Sequence, residues 1–517
     1  MKLPALNWLD KAISYLSPRL GLRRLAARAA ASAYPAYRGA ESSRLRSDWA
    51  LSLTQPTPEF YDLDRMRERS RDLNRSDPVA SGATETMALN IVGQGLRPQS
   101  GLRAEVLGIS ESQAQELRRQ AETIWEQWGV WADNGNRLHF SDLQFIALRK
   151  VIEDGEVLVL PTWAEDPWRP LKRTLELIEA DRLAPPSGFS SKAPYGIELG
   201  SRMEPQKYWI RKAQANWFAQ ARTEYIGVPA RDGRGRPLVL HIFPCKRPGQ
   251  LRGTPYFAPV LSYFKDLADY LEAEVVAARV AACLAVFITK ADAYGGMTAA
   301  ATGVESGTGA RVQGIEPGLI SYLNLGEDIK VVDPKRGGET FASFTEQMLR
   351  IIGASLGLPY ELLMKDFSKT NYSSARAAIL EGRRLFSNWR FWLSRHFCQP
   401  IWELVLEEAY LRNLFSAKDF YENRAEYCRA QWIGGSWGWV DPVKEVQASK
   451  LAIDYGLSTL AEETAGQGRD WEEVLEQKKR EEDKARELGL NLSTGGGPAA
   501  IADKEDNTGE REDAEST

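Results

Sequence analysis

Cysteine is scarce in this chain of 517 residues: four, at positions 245, 283, 398 and 428, with no CxxC or comparable spacing. That spacing suits neither a disulfide framework nor a zinc site, and it points to a reducing compartment. Histidine is scarcer still. His139, His241 and His396 are the three present, none in HExxH-like register with a partner, so each reads as a structural or surface residue. Long apolar runs are also missing: VVAARVAACLAVFI at 275–288 carries Arg279 and is too short to span a bilayer. No transmembrane helix and no membrane partner are expected. A formal net charge of -4 is small for this length and argues against a general polycation working on nucleic acid.

The parts of an enzyme are absent as well. There is no GxxxxGK[ST] phosphate loop, and no GxGxxG sits between a strand and a helix. Acid pairs such as Asp266 with Asp269, or Glu272 with Glu274, lie beside lysine and arginine on one helix, where solvation and ion pairing are the usual fate. Glu179 and Asp181 of IEADRL could face a metal, but no further acidic cluster with a ligand pattern accompanies them. The expectation is a protein that is not an enzyme, with no catalytic residues, no metal site and no cofactor.

What is present is sequence enough for two to four substructures of mixed type, an α+β chain. Residues 1–55 form a basic, alanine-rich arm broken by Pro18 and Pro35. A transit peptide or membrane-surface helix looks similar, but an arm that orders against a partner is the simpler reading. Helix is predicted over 63–89 and again from a Ser110 cap to Trp128, with Leu117, Ala121, Ile124 and Trp128 on one face. From 137 to 245 the period changes. GEVLVLPTW, RTLELIEADRL, PYGIELG, KYWIRKA, EYIGV and LVLHIFP read as a largely antiparallel β region, with RDGRGRP at 231–237 as one of its turns.

A long helix is predicted over 257–285, where Phe257, Leu261, Phe264, Leu267 and Leu271 recur at intervals of three and four. At that length it would run about 40 Å, which suits a bridge or packing against copies of itself. Strand-like pieces at 286–338 surround a Gly/Ala/Thr-rich stretch at 295–314, read as a surface insertion. Helix returns at 339–357. Ser373 or Ser374 is the expected cap of the next helix, which runs past Pro400 with a kink predicted near 396–400. Between these helices lies the polar stretch KDFSKTNYSS. Arg376, Arg383 and Arg390 recur every seven residues beyond it, a basic stripe that suits contact with DNA, a solvated face or salt bridges to a neighbouring subunit. Trp-rich connections and a charged helix follow, and the tail from 491 is Gly-rich and then acidic, with the composition of disorder.

NIVGQGLRP, DGEVLV, IEADRL, RPGQLRGTPYFAPVL, GLPYELLMKDFSKTNYSSARAA and QWIGGSWGWVDPVKEVQASKLAIDYGLST stand in one order over residues 60–480. Together they resemble the portal proteins of tailed bacteriophages, in the lambda-type family. The resemblance implies a closed ring of identical subunits, twelve in the virion, at one capsid vertex. It also implies a channel for packaging and ejecting double-stranded DNA, read without base specificity, and docking of terminase and head-completion or connector proteins. Major capsid and scaffold proteins are further implied partners, with assembly in the host cytoplasm. The implied division is a wing at 56–250, a first stem helix at 251–285 packed through Phe257, Leu261, Phe264 and Leu271, and a clip at 286–338. A second stem helix at 339–357, a tunnel loop at 358–374, a long kinked wing helix with its connection at 375–429 and a crown at 430–490 complete it. The loop residues implied to meet DNA are Lys365, Asp366, Ser368, Lys369, Thr370, Asn371 and Tyr372. Alternative readings are a nuclease-like phage enzyme and a peripheral scaffold protein.

Overall fold

In the computed structural model, which describes residues 59–187, 189, 192–212, 224–283, 287–290, 327–330 and 338–490, the helix predicted over 63–89 divides in two. α1 (Glu59–Ser76) and α2 (Pro78–Ile91) meet at Asp77. The Asp77 carboxylate accepts from the N–H groups of Val79 and Ala80, and Pro78 supplies a φ already suited to a helix start. β1 (Arg97–Ser100), the one-turn α3 (Ala104–Leu107) and α4 (Glu111–Gly129) follow. Ser110 caps α4 as expected, and Gln113 reaches back to close a capping box.

One helix departs from the sequence reading. α5 (Phe140–Asp154) opens the stretch assigned to β structure, with Phe140, Leu143, Ala147, Leu148 and Val151 buried along one face. Its cap is His139, outside the usual set of cap residues, so the start signal is weak. The six strand-like pieces then appear as β2 (Val157–Trp163), β3 (Arg173–Glu179), β4 (Ile197–Leu199), β5 (Pro205–Arg211), β6 (Tyr225–Pro229) and β7 (Leu240–Ile242). They form two antiparallel sheets, in the orders β3-β2-β7 and β4-β5-β6. Leu158, Ile178, Ile197, Tyr208 and Ile210 make an apolar cluster drawn from both sheets.

The long helix begins as a short 3-10 turn at Ala258–Val260, which holds Pro259, and continues as α6 (Leu261–Cys283). β8 (Phe287–Lys290) pairs antiparallel with β9 (Glu327–Lys330). The basic arm, the insertion at 295–314, most of 286–338 and the acidic tail lie outside the described residues. α7 (Gly338–Leu356), the short α8 (Tyr360–Met364), α9 (Tyr372–Leu393) and α10 (Gln399–Leu411) come next. Between α9 and α10, where a kink is predicted near 396–400, the helix passes through a π-helical turn at Ser394–Cys398, one turn before Pro400 enters the first turn of α10. The described residues end in α11 (Arg424–Tyr427), β10 (Ala430–Ile433), α12 (Pro442–Asp454), α13 (Leu460–Gly466) and α14 (Trp471–Glu487).

β10 returns to pair antiparallel with β1, more than 300 positions earlier. Beneath that pairing is the aromatic centre of the main core, where Trp125 of α4 packs on Trp128, Phe140, Trp402 and Trp432 with ring centroids 4.8–5.6 Å apart. The terminal helices are attached differently: α12 and α13 bury no residue, and α14 buries Ala485 alone.

Where α14 meets α4, Glu122 accepts from the Ser100 N–H at 2.7 Å and faces Asp470, Glu472 and Glu473. Burial, seconded by those acids, pushes its carboxyl up to about 7 against the opposing effect of the Ser100 bond. A raised carboxyl stabilises the fold fully below its ordinary pKa, and that contribution is lost as pH rises through about 7. Wild-type protein should therefore lose on the order of 1–2 kcal/mol between mildly acidic and mildly alkaline pH, after discounting for solvent access. Denaturant melts of Glu122→Gln should lack that slope; an unchanged slope would remove Glu122 as its cause.

Candidate functional site

The polar stretch between α7 and α9 starts from a fixed base. Gly357 leaves α7 with φ at +67°, a backbone that side chains rarely adopt, and the Tyr256 hydroxyl donates to the Leu356 carbonyl at 2.8 Å. α8 occupies the first part of 358–374 and is anchored by the buried Leu363. The irregular loop is thereby shortened to 365–371. Asn371, and neither Ser373 nor Ser374, caps α9: its side chain accepts from the Ser374 N–H at 2.8 Å, and both serines already lie inside the first turn. Tyr372 is the first helical residue, half-exposed beside the loop.

Within the loop the side chains hold one another. Lys365 closes α8 in the left-handed conformation, φ 55°. The Asp366 carboxylate accepts from the Ser368 N–H at 2.9 Å, and the Thr370 hydroxyl donates to the Phe367 carbonyl at 2.9 Å. Lys369 reaches back 2.8 Å to Glu346 on α7, a carboxylate shared with Arg350 at the same distance. Lys369 and Arg350 hold the Glu346 carboxyl below its usual range. Lys365 makes no ion pair among the described residues. The result is an exposed, nearly neutral tip offering hydrogen-bond donors and acceptors and one unpaired cation.

The arginine stripe turns toward the chain itself. The Arg383 guanidinium donates to the carbonyls of Gly438 at 2.7 Å and Trp437 at 3.3 Å. Arg390 donates to Ile91 and Asn90, each at 3.0 Å, and to Gly435 at 3.2 Å, with its guanidinium 4.3 Å over the Trp437 ring. Ile91 and Asn90 end α2, where helical carbonyls lack partners and a cation is favoured. Arg376 lies near enough to Asp441 to act on its charge. NIVGQGLRP and QWIGGSWGWVDP, which begin at Asn90 and Gln431, thus meet at one arginine.

A second junction joins DGEVLV, IEADRL and RPGQLRGTP. Glu156 is fully buried and lies 2.8 Å from Arg67, 2.5 Å from Arg252 and 3.0 Å from His241. It also accepts from the Gly253 N–H at 2.6 Å. Arg252 spends its other donors on the carbonyls of Ala180, Leu183 and Tyr195. Gly253 and Gly155 are needed here because a Cβ on either would run into the backbone of the other strand of chain. Beside this junction Asp181 pairs with Arg71, and Glu179 lies 3.1 Å from Lys150. Each of these two acids has a cation for a partner, and among the described residues no group of three His, Cys, Asp or Glu side chains is placed to hold a metal.

The family model for phage portal proteins of the lambda family matches residues 42–390, well over half of the chain. The chain belongs to that family of portal proteins. The portal protein of Escherichia phage N15 is 28% identical over 467 residues, 83% of this chain and 85% of the relative. Portal protein B of Escherichia phage lambda is 24% identical over 488 residues, 88% and 91%. A probable portal protein of Halomonas phage phiHAP-1 is 22% identical over 471 residues, 88% and 87%. Among solved structures, a chain from the virion of a native gene transfer agent particle aligns with TM-score 0.40 and 13% identity, over 75% of this chain and 98% of that one. A chain from the neck of that particle, computed with C12 symmetry, aligns with TM-score 0.38 and 14% identity, over 72% and 94%.

The matched span of this portal protein contains the loop, the Glu156 junction and all three stripe arginines, and it stops short of the segment those arginines hold. Phe257 and Phe264, expected as stem contacts, lie in the main core, Leu261 is packed against it, and Leu271 is exposed. Glu156 and Arg252 were legible only as members of motifs, and Arg67 lies in none of them. The apolar run 157–160 directly after Glu156, and Arg252 directly before Gly253, are the signals that could have singled out those two.

Proposed function

We propose that this portal protein forms a closed ring, of twelve copies in the virion, with residues 365–371 lining the axial passage for double-stranded DNA. The observation that carries the reading is the loop: an exposed, nearly charge-balanced polar tip on a firmly anchored base. Such a tip exchanges hydrogen bonds with a moving phosphate backbone, whereas many copies of a cationic loop would release counterions and grip it. No base reading is needed.

The two long helices suit the ring. Leu271, Val275 and Val276 on α6, with Phe344 and Ile351 on α7, are 38–50% exposed in the single chain and would be covered by a neighbour in a heterologous contact that closes by rotation. On this reading α6 and α7 are the stem, β8 and β9 belong to the clip, α1 to β7 with α9 and α10 form the wing, and α12 to α14 the crown. Terminase and head-completion proteins would dock on the ring, capsid and scaffold proteins around it, after assembly in the host cytoplasm.

Negative-stain electron microscopy of the full-length protein tests the ring. Particles of roughly 0.7 MDa with a central hole are expected from twelve chains of 57.9 kDa; uniform small particles at high concentration would sink the proposal. In the double variant Lys365→Ala/Lys369→Ala rings should persist while DNA packaged or retained changes a few-fold. Loss of the ring in that variant would contradict the loop assignment.

A further inference from the structure

The stripe arginines and the segment 434–441 are matched in length as well as in chemistry. Seven residues of helix advance about 10 Å, and three residues of extended chain advance about the same. Along α9, Arg383 bonds Trp437 and Gly438 and Arg390 bonds Gly435, while Arg376, one step further along, lies near enough to Asp441 to act on its charge. The segment therefore runs antiparallel along the helix, with one arginine for every three or four of its residues. We infer that residues 434–441 are a strap, zipped onto α9 by its heptad-spaced arginines, and that this zipper fixes the position of α12, α13 and α14.

Three observations support a specific seat over a chance contact. Arg390 is two-sidedly committed: carbonyls of α2 and of the strap accept from it, and Trp437 covers its face while donating its own Nε1–H to the Asn90 carbonyl at 2.8 Å. A Cβ on Gly434 would run into the Arg390 guanidinium, so a larger residue there would displace that guanidinium from its carbonyl partners. Gly468, just before α14, packs in turn on Gly434 and Ser436, where its added Cβ would lie 2.9 Å from the Gly434 oxygen. The strap's far end is ordered too, since Glu445 accepts from the N–H groups of Val440 and Asp441 at the start of α12.

The consequence follows from burial. α12 and α13 bury nothing, and beyond the strap α14 is held by Ala485 and by polar contacts such as Arg119 with Glu476. Releasing the strap should free these helices while leaving the aromatic core untouched. α9 also begins at the cap of the 365–371 loop, so the loop and the terminal helices are carried by one helix. The strap itself is independent of whether that loop faces DNA.

Hydrogen exchange on the full-length protein tests this in two variants that act by opposite means. Arg383→Met/Arg390→Met removes the donors and keeps the length of the side chains. Gly434→Val keeps every arginine and wedges the strap away. Amides over 434–454 should exchange about tenfold faster or more in each, as expected for losing charged hydrogen bonds, while β2 and β3 keep wild-type protection. Wild-type rates over 434–454 in either variant would overturn the inference. So would acceleration spread evenly through β2 and β3, because it would mean that the arginines support the core and not a strap.

Discussion

Glu156→Ala should lower the stability of this portal protein by about 3–5 kcal/mol, the largest single-residue loss expected in the molecule. The carboxylate is the common partner of Arg67, Arg252 and His241 and is fully buried, so its removal leaves two buried guanidinium groups without the carboxylate that pairs with both. Burial by itself would raise the Glu156 carboxyl. The charges of Arg252, Arg67 and His241 more than reverse that and hold it well below its ordinary range. A depressed carboxylate contributes stability that is present above its unfolded pKa and is lost as pH falls through the folded one. Wild-type protein should therefore shed this contribution only in acid, as pH falls from the usual carboxylate range downward, while the deficit of Glu156→Ala is full at neutral pH. Chemical denaturation across pH checks both statements. A variant in which Glu156, Arg67 and Arg252 are all replaced by apolar residues should recover part of the loss, since it is the orphaned charges that cost most. If Glu156→Ala melts like wild type, the junction is not a folding element.

The largest effect on function should come from adding charge to the loop. Ser368→Lys places a second unpaired cation on each tip, beside the one unpaired cation there now, Lys365. In a ring the addition is multiplied by the number of copies, and each phosphate contact steepens the salt dependence of DNA binding. DNA movement through the ring should slow roughly tenfold at low salt and recover as salt is raised. The alanine double variant should have a smaller effect. A single-turnover packaging assay at two salt concentrations decides it: packaging indifferent to Ser368→Lys would remove the loop from the DNA path.

Much of the local structure was legible in the sequence because its causes are local. Ser110 before an amphipathic run and six β-branched segments between turn residues each act over a few positions, and each produced the expected element. Where reading failed, a local signal was ambiguous. Asp77–Pro78 is a cap and an N1 proline in the middle of a helical pattern, and His139 is an unusual cap for α5. Asn371 competed with two serines that would have served as well had the helix begun two residues later.

The sites were less legible. Lys365 and Lys369 look alike in sequence, yet Lys369 is spent on Glu346 of α7 and Lys365 makes no ion pair among the described residues. Arg383 and Arg390 form a basic stripe in sequence. In the folded chain their charge is turned onto carbonyls, and burial lowers Arg390 to about 10.

What the sequence determined by itself is therefore most of the elements, their order, and the family to which that order belongs, since these depend on period, caps and turns within reach of one another. The tertiary structure alone decided which charges are partnered: Glu156 with Arg252, Arg390 with the ends of α2 and the strap, Lys369 with Glu346. Those pairings depend on where backbones from distant positions come to lie, and a charge has no preference for a partner until folding brings one within a few ångströms and excludes water between them.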